Sequence, residues 1–132
     1  MSAVVADTDV VSLVFKRHSL SGSYLDAIEG KSVVLSFMTL GELELWMQRR
    51  SWGAVRRKRL GKFLENFSIR HSDEPLCKTW ASIRHQAFLA GSPVDVADAW
   101  IAATAVYLDV PLVTHNRRHF DKIEGLELLS FG

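Results

Sequence analysis

The chain has 132 residues, of which 48% are hydrophobic, 23% charged and 10% aromatic. That is one domain's worth of globular sequence with room for a continuous core, which excludes disorder and collagen-like repeats. Sixteen basic residues against fifteen acidic ones leave a formal charge of +1, so net charge alone marks no nucleic-acid binder, and the single cysteine, Cys77, excludes an internal disulfide.

Residues 1–5 are too short for a signal peptide, and acids follow at once. The longest apolar runs fall far below the roughly 20 residues of a membrane-spanning helix. A cytoplasmic location is expected. Cys77 reads as a small, half-buried apolar residue, and no CxxC pair exists for zinc.

In chain order, residues 2–6 (SAVVA) form a short valine-rich run and read as a buried strand. Residues 33–37 (VVLSF) have the same character. Residues 39–47 carry Leu40, Leu43, Trp46 and Met47 at helical spacing. Residues 55–67 form a basic amphipathic helix with Leu60, Phe63, Leu64 and Phe67 on its apolar side. A weaker strand covers residues 68–71. Residues 74–89 read as a helix with Cys77, Trp80, Ile83 and Ala87 along one stripe. Residues 95–107 (DVADAWIAATAVY) are apolar almost all round, as suits a buried central helix capped by Asp95 or Ser92. Residues 112–114 (LVT) and 126–129 (LELL) are the closing strands. The alternation predicts a single α/β domain over residues 1–132, an α/β sandwich with a mostly parallel sheet.

Ligands in such folds gather at the C-terminal ends of strands. Carboxylates stand there in apolar settings. Asp7 and Asp9 follow the first strand, Glu42 lies among leucines in the helix after the second, and Asp98 lies inside the alanine-rich helix. Asp95 shares a helical face with Asp98. Carboxylates from three segments at one sheet edge would repel one another, and a divalent cation relieves that repulsion. Oxygen ligands without cysteine favour Mg2+ or Mn2+. Each acid also has a plainer reading: Asp7 as a turn or helix cap, Glu42 as a solvated helix residue, Asp98 as the partner of a core arginine, Asp95 as an N-cap.

Four segments resemble PIN-domain proteins and, more narrowly, VapC-type toxins of bacterial toxin–antitoxin pairs. They are VVADTDVVSLVF (residues 4–15), FMTLGELELW (37–46), DAWIAATAVYLDVPLVTHNRRHF (98–120) and KIEGLELLS (122–130). The resemblance implies a metal-dependent endoribonuclease with a three-layer α/β/α sandwich, PIN-like, around the mostly parallel sheet, and with catalytic residues Asp7, Glu42, Asp98 and Asn116. Asp7, Glu42 and Asp98 would hold the metal, and Thr8 matches the small hydroxyl residue beside the first acid. Asp9 and Asp95 would support them. One position departs from the pattern: His119 stands where many relatives carry a further acid. Asp121 is its nearest acidic substitute, and His119 is itself a candidate for contacting phosphate or the leaving group. The missing charge puts a second metal in doubt more than the first.

The basic residues Arg49, Arg50, Arg56, Arg57, Lys58, Arg59 and Lys62 are crowded into one stretch. Together with Arg117 and Arg118 they are candidates for drawing in an RNA backbone. The resemblance also implies a cognate antitoxin whose C-terminal segment blocks the site, with Trp46, Trp52, Phe63 and Leu64 as candidate groove residues. A homodimer, within a larger toxin–antitoxin assembly, is expected. Two other classes fit parts of the pattern. A nuclease-weakened PIN-like module would bind RNA or protein without turnover. A phosphatase using Asp7 as nucleophile would need a lysine and a later acidic pair around it.

Overall fold

The computed structural model describes residues 2–132. Five strands form one sheet: β1 (Ala3–Ala6), β2 (Ser32–Ser36), β3 (Ser68–Arg70), β4 (Leu112–Val113) and β5 (Leu128–Leu129). Their order is β3-β2-β1-β4-β5, and every pairing is parallel. Six α-helices connect them: α1 (Thr8–Phe15), α2 (Ser21–Ile28), α3 (Phe37–Arg49), α4 (Ala54–Leu64), α5 (Glu74–Leu89) and α6 (Val96–Leu108). The predicted α/β sandwich is what the chain forms.

The chain lays β2 and β3 to one side of β1, then returns to place β4 on the other. Right-handed crossovers in opposite directions put the helices on opposite faces. Two cores result. One gathers Val4, Ala6, Tyr24, Leu35, Leu43 and Leu60 beneath α1, α2 and α4. The other gathers Val5, Leu76, Ile83, Ile101, Leu112 and Phe120 beneath α5 and α6. Neighbouring residues of β1 thus face opposite cores, which is why its run is apolar without alternation.

Local chemistry sets the boundaries. Asp7 stops β1 and caps α1, its side chain accepting from Thr8 N–H at 2.7 Å. Ser36 ends β2 and caps α3 by accepting from Met38 N–H at 3.0 Å. Phe37, read from sequence as the end of a strand, is therefore the first residue of a helix. Asp73 caps α5, with Pro75 in its first turn, and the helix covers the expected residues 74–89. Asp109 takes the left-handed conformation, φ 56°, and closes α6.

Two expectations about side chains change. Cys77 is exposed, not half-buried. The apolar stripe of α5 runs through Leu76, Trp80, Ile83 and Ala87, and Cys77 lies one residue off it. Among the described residues, no helix is long and apolar enough to cross a membrane.

Candidate metal centre

The topological switch point lies between β1 and β4, where the strand order reverses. Asp7 follows β1 there and Thr114 follows β4. The ladder continues past both strand ends through Asp7 N–H to Val113 C=O at 2.8 Å. That register sets Thr114 beside Asp7, and the Thr114 hydroxyl donates to Asp7 Oδ2 at 2.7 Å. Thr114 Oγ1 also accepts from Asn116 N–H at 3.1 Å. Thr114 is fully buried, and Asp7 is 6% exposed.

Asp9, in the first turn of α1, reaches across to the loop after β4. Its Oδ2 accepts from His115 N–H at 3.1 Å and Asn116 Nδ2–H at 2.9 Å. Its Oδ1 is buried with no hydrogen-bond partner among the described residues. Glu42, in the second turn of α3, is held from α1: Thr8 Oγ1 lies 2.7 Å from Glu42 Oε1 and 2.9 Å from Thr39 Oγ1. The Thr8 hydroxyl has one proton, which goes to the carboxylate, and the Thr39 hydroxyl then donates to Thr8. Asp98 sits in the first turn of α6, where the helix N-terminus favours an acid. Its Oδ2 lies 3.2 Å from His119 Nδ1, and its side chain is 20% exposed.

Electrostatics tie these acids into one group. Burial, and then the charge of Asp9, push the Asp7 carboxyl up to about 7, against the pull of its bonds to Thr114 and Thr8. Burial, and then the charge of Asp7, push Asp98 up to about 6, with His119 drawing it down. Asp9 is raised as well, chiefly by burial and also by Asp98. Glu42 contributes to the rise at both Asp7 and Asp98. Such repulsion among hard oxygen donors, with one buried oxygen unpaired, fits a divalent cation. Among the described residues, no three acid, histidine or cysteine side chains close into a ready-made cage. Acids that stand apart suit an ion that keeps several of its own waters.

The other candidates fall in different places. Asp95 occupies the N-cap of α6 without a side-chain cap bond and adds its charge to the field at Asp98. Asn116 joins Asp9. His119 joins Asp98, so the partner of that acid is an imidazole and not a core arginine. Asp121 is exposed and forms no hydrogen bond or ion pair with the acids. Among the described residues no lysine pairs with Asp7, so the lysine that a phosphatase nucleophile needs is not beside it.

The basic stretch divides. Arg57 turns to Glu44 at 3.1 Å and to Trp52 C=O at 3.2 Å. Arg56 and Arg59 lie over the rings of Trp52 and Phe15. Arg49, Arg117 and Arg118 are exposed, the last two directly after Asn116. Trp46, Trp52, Phe63 and Leu64, the expected groove residues, pack into the core with Phe15. Trp52, in the connection between α3 and α4, is buried, and Trp46, Phe63 and Leu64 are half-buried against the same core. Sequence reading passed over Thr39 and Thr114. A polar residue ending the LVT run was the available signal for Thr114, since a strand parallel to β1 must bring one residue beside Asp7.

The PIN-domain profile matches residues 4–126. Ribonuclease VapC4 of Mycobacterium tuberculosis is 30% identical over 93 residues, spanning 69% of this chain and 72% of that one. Ribonuclease VapC1 of Methanocaldococcus jannaschii is 28% identical over 127 residues, spanning 96% and 85%. The solved structure of VapBC2 from Rickettsia felis, bound to a DNA fragment from its promoter, matches in fold with a TM-score of 0.85 at 19% identity, over 97% and 98% of the two chains. With this fold, this switch point and these matches, the chain belongs to the PIN-domain family, among the VapC ribonucleases.

Proposed function

We propose that this protein is a metal-dependent endoribonuclease, the toxin of a toxin–antitoxin pair, that hydrolyses RNA phosphodiester bonds at its acidic group. One observation carries the reading: the buried, unpartnered Oδ1 of Asp9 amid Asp7, Glu42 and Asp98. An unpaired carboxylate oxygen is costly in that setting unless a cation or a proton shared with Asp7 joins it, and only the cation also relieves the repulsion among all four acids.

Asp7, Glu42 and Asp98 are the residues that would hold Mg2+ or Mn2+, with Asp9 beside them. Such an ion supplies a water of lowered pKa and stabilises charge on the phosphodiester. The chain's own groups fix the acids. Thr114 orients Asp7, the Thr8–Thr39 pair orients Glu42, and Asn116 with the His115 amide orients Asp9. His119 positions Asp98. An imidazole in place of a further acid lowers the negative charge of the group, which favours one ion over two. Arg117 and Arg118 flank the acids and attract the RNA backbone. A cognate antitoxin that set a basic side chain among the acids would satisfy the same charges and silence the site.

The test is cleavage of total RNA by partner-free protein with Mg2+, Mn2+ or chelator, beside Asp7→Asn and Asp98→Asn. Discrete fragments that need the metal and both acids support the proposal. Full cleavage by both variants overturns the site. A second reading, a module that binds without turnover, draws on the contact of His119 with Asp98. Calorimetric metal binding with no cleavage of any RNA would favour it.

A further inference from the structure

Three distant segments meet at one phenol. Tyr24, on α2, is fully buried. Its hydroxyl lies 2.6 Å from His115 Nδ1, in the loop after β4, and accepts from Phe131 N–H, beyond β5, at 3.1 Å. The Tyr24 ring meets those of His115 and Phe131 edge to face, at 5.6 Å and 5.2 Å between centres. Gly132 lies so close to His115 that a side-chain carbon there would overlap the His115 carbonyl oxygen. Hydrogen-bond accounting fixes the direction of the central bond. The backbone N–H of Phe131 can only donate, so it takes a lone pair of the phenol oxygen. The phenol's own proton has two acceptors in reach, His115 Nδ1 at 2.6 Å and Thr114 C=O at 3.5 Å. The second is too long for a sound O–H···O bond. The proton therefore goes to Nδ1, and His115 carries its own proton on Nε2.

A buried phenol demands such partners, and a phenylalanine would fill the same space while demanding none. What the hydroxyl adds is a hold on residue 115. The ladder between β4 and β5 ends where Thr114 N–H donates to Leu129 C=O at 3.0 Å. His115 is thus the first residue past the sheet, and among the described residues Tyr24 is the hydrogen-bond partner of its ring. Its amide donates to Asp9 Oδ2 at 3.1 Å, beside Asn116 Nδ2–H at 2.9 Å. Both donors fall on the same oxygen, which leaves Asp9 Oδ1 buried and unpaired among the described residues. A residue 115 free to turn would let that carboxylate turn with it.

We propose that Tyr24 is a positioning residue of the acidic group: its bond to His115 Nδ1 holds the His115 amide on Asp9 Oδ2 and keeps Asp9 Oδ1 available to a cation. The proposal rests on the nuclease reading and deepens it by extending the support of the acids to α2 and to the segment after β5. The path runs from Phe131 N–H through the phenol and residue 115 to the carboxylate. Tyr24 touches none of the acids itself and acts through His115. Groups that orient a ligand in this way typically govern metal affinity almost as strongly as the ligands do.

The experiment compares wild type, Tyr24→Phe, His115→Phe, the double variant and Tyr107→Phe, which removes the hydroxyl of the other, exposed tyrosine. Calorimetry reads Mn2+ affinity at a temperature where urea unfolding shows each protein fully folded. Hydrogen exchange followed by NMR reads how freely the amide at position 115 opens. Tyr24→Phe and His115→Phe are each expected to bind Mn2+ about tenfold more weakly. The double variant should bind no more weakly than either, because the two side chains act through one bond. The amide at position 115 should exchange about tenfold faster in Tyr24→Phe, and Tyr107→Phe should match wild type in both measurements. A protein that is merely less stable keeps its Mn2+ affinity once folded, so the affinity separates positioning from core packing. Should Tyr24→Phe fail to fold, His115→Phe reads the same bond at a half-buried position. Unchanged Mn2+ affinity in these variants overturns the proposal, even with faster exchange, because the bond then serves packing alone. So does a double variant about a hundredfold weaker, which means two independent effects. In a wild type that binds no Mn2+, the nuclease reading falls by itself, and exchange at position 115 decides the proposal: tenfold faster supports it and unchanged overturns it.

Discussion

In the metal-free protein, Asp7→Asn should stabilise the fold while abolishing cation binding. Asp7 is buried, and its carboxyl is raised from 3.8 to about 7. An acid raised on folding is a cost that is absent below the unfolded value and complete above the folded one. The native state holds the extra proton between these limits, so metal-free stability falls as pH rises from about 4 to about 7. A shift of roughly three pKa units corresponds to about 4 kcal/mol. Asparagine removes the ionisation but cannot accept from both Thr8 N–H and the Thr114 hydroxyl, which costs about 1 kcal/mol. The net gain is about 2 to 3 kcal/mol near pH 8, or about 7 to 10 °C in Tm for a chain this long. At about pH 5 the wild-type acid is protonated, and the gain falls below about 1 kcal/mol. Urea unfolding in chelator at the two pH values measures both numbers. Adding Mg2+ at a hundredfold excess over Kd should stabilise wild type by about 2.7 kcal/mol, which cancels the variant's advantage, and a thousandfold excess, worth about 4.1 kcal/mol, should reverse the order while leaving the variant unmoved. A variant less stable than wild type near pH 8 in chelator, or one with the same pH slope, would refute the argument that repulsion and burial set the character of this site.

Thr114→Val keeps the shape but removes a donor to Asp7 and an acceptor for Asn116 N–H. It should cost about 1 to 3 kcal/mol in urea and weaken Mn2+ binding by calorimetry; unchanged metal affinity would show that Asp7 needs no such anchor. Trp52→Ala opens the packing between Phe15 and Trp46 and should cost about 3 to 5 kcal/mol, read as a lowered urea midpoint. Cys77, being exposed, should react with a thiol reagent in the folded protein as fast as in the denatured one, and protection would contradict its placement on α5. Light scattering on the partner-free protein should give twice the 14.8 kDa chain mass at micromolar concentration, and a monomer there would refute the homodimer.

Legibility followed how local each signal was. Helix α5 was readable to the residue because Trp80, Ile83 and Ala87 recur at helical spacing, while the Asp73 cap that starts it, though local, went unread. Helices α1 and α2 were only implied by the need for a crossover. Thr8–Phe15 is rich in valine and Ser21–Ile28 is short and mixed, so both owe their helical state to packing on the sheet. Asp7, Glu42 and Asp98 stood out because carboxylates are costly in apolar surroundings wherever the chain goes. Asp9 looked secondary, since nothing local says that its Oδ1 will be buried without a partner.

The sequence by itself determined that short buried strands alternate with helices, that acids follow the first two strands and open the last helix, and that the cations crowd one stretch. Each of these is a matter of periodicity or composition within a few residues. Only the tertiary structure decided that Thr114 would hold Asp7, 107 residues away, and that His119 would lean on Asp98. It alone turned Arg57 to Glu44 while leaving Arg56 and Arg59 beside Lys16 and Arg17. Those outcomes depend on strand order and on the angle at which each helix crosses the sheet. Both are set by burying two cores at once, a property of the whole chain that no single segment carries.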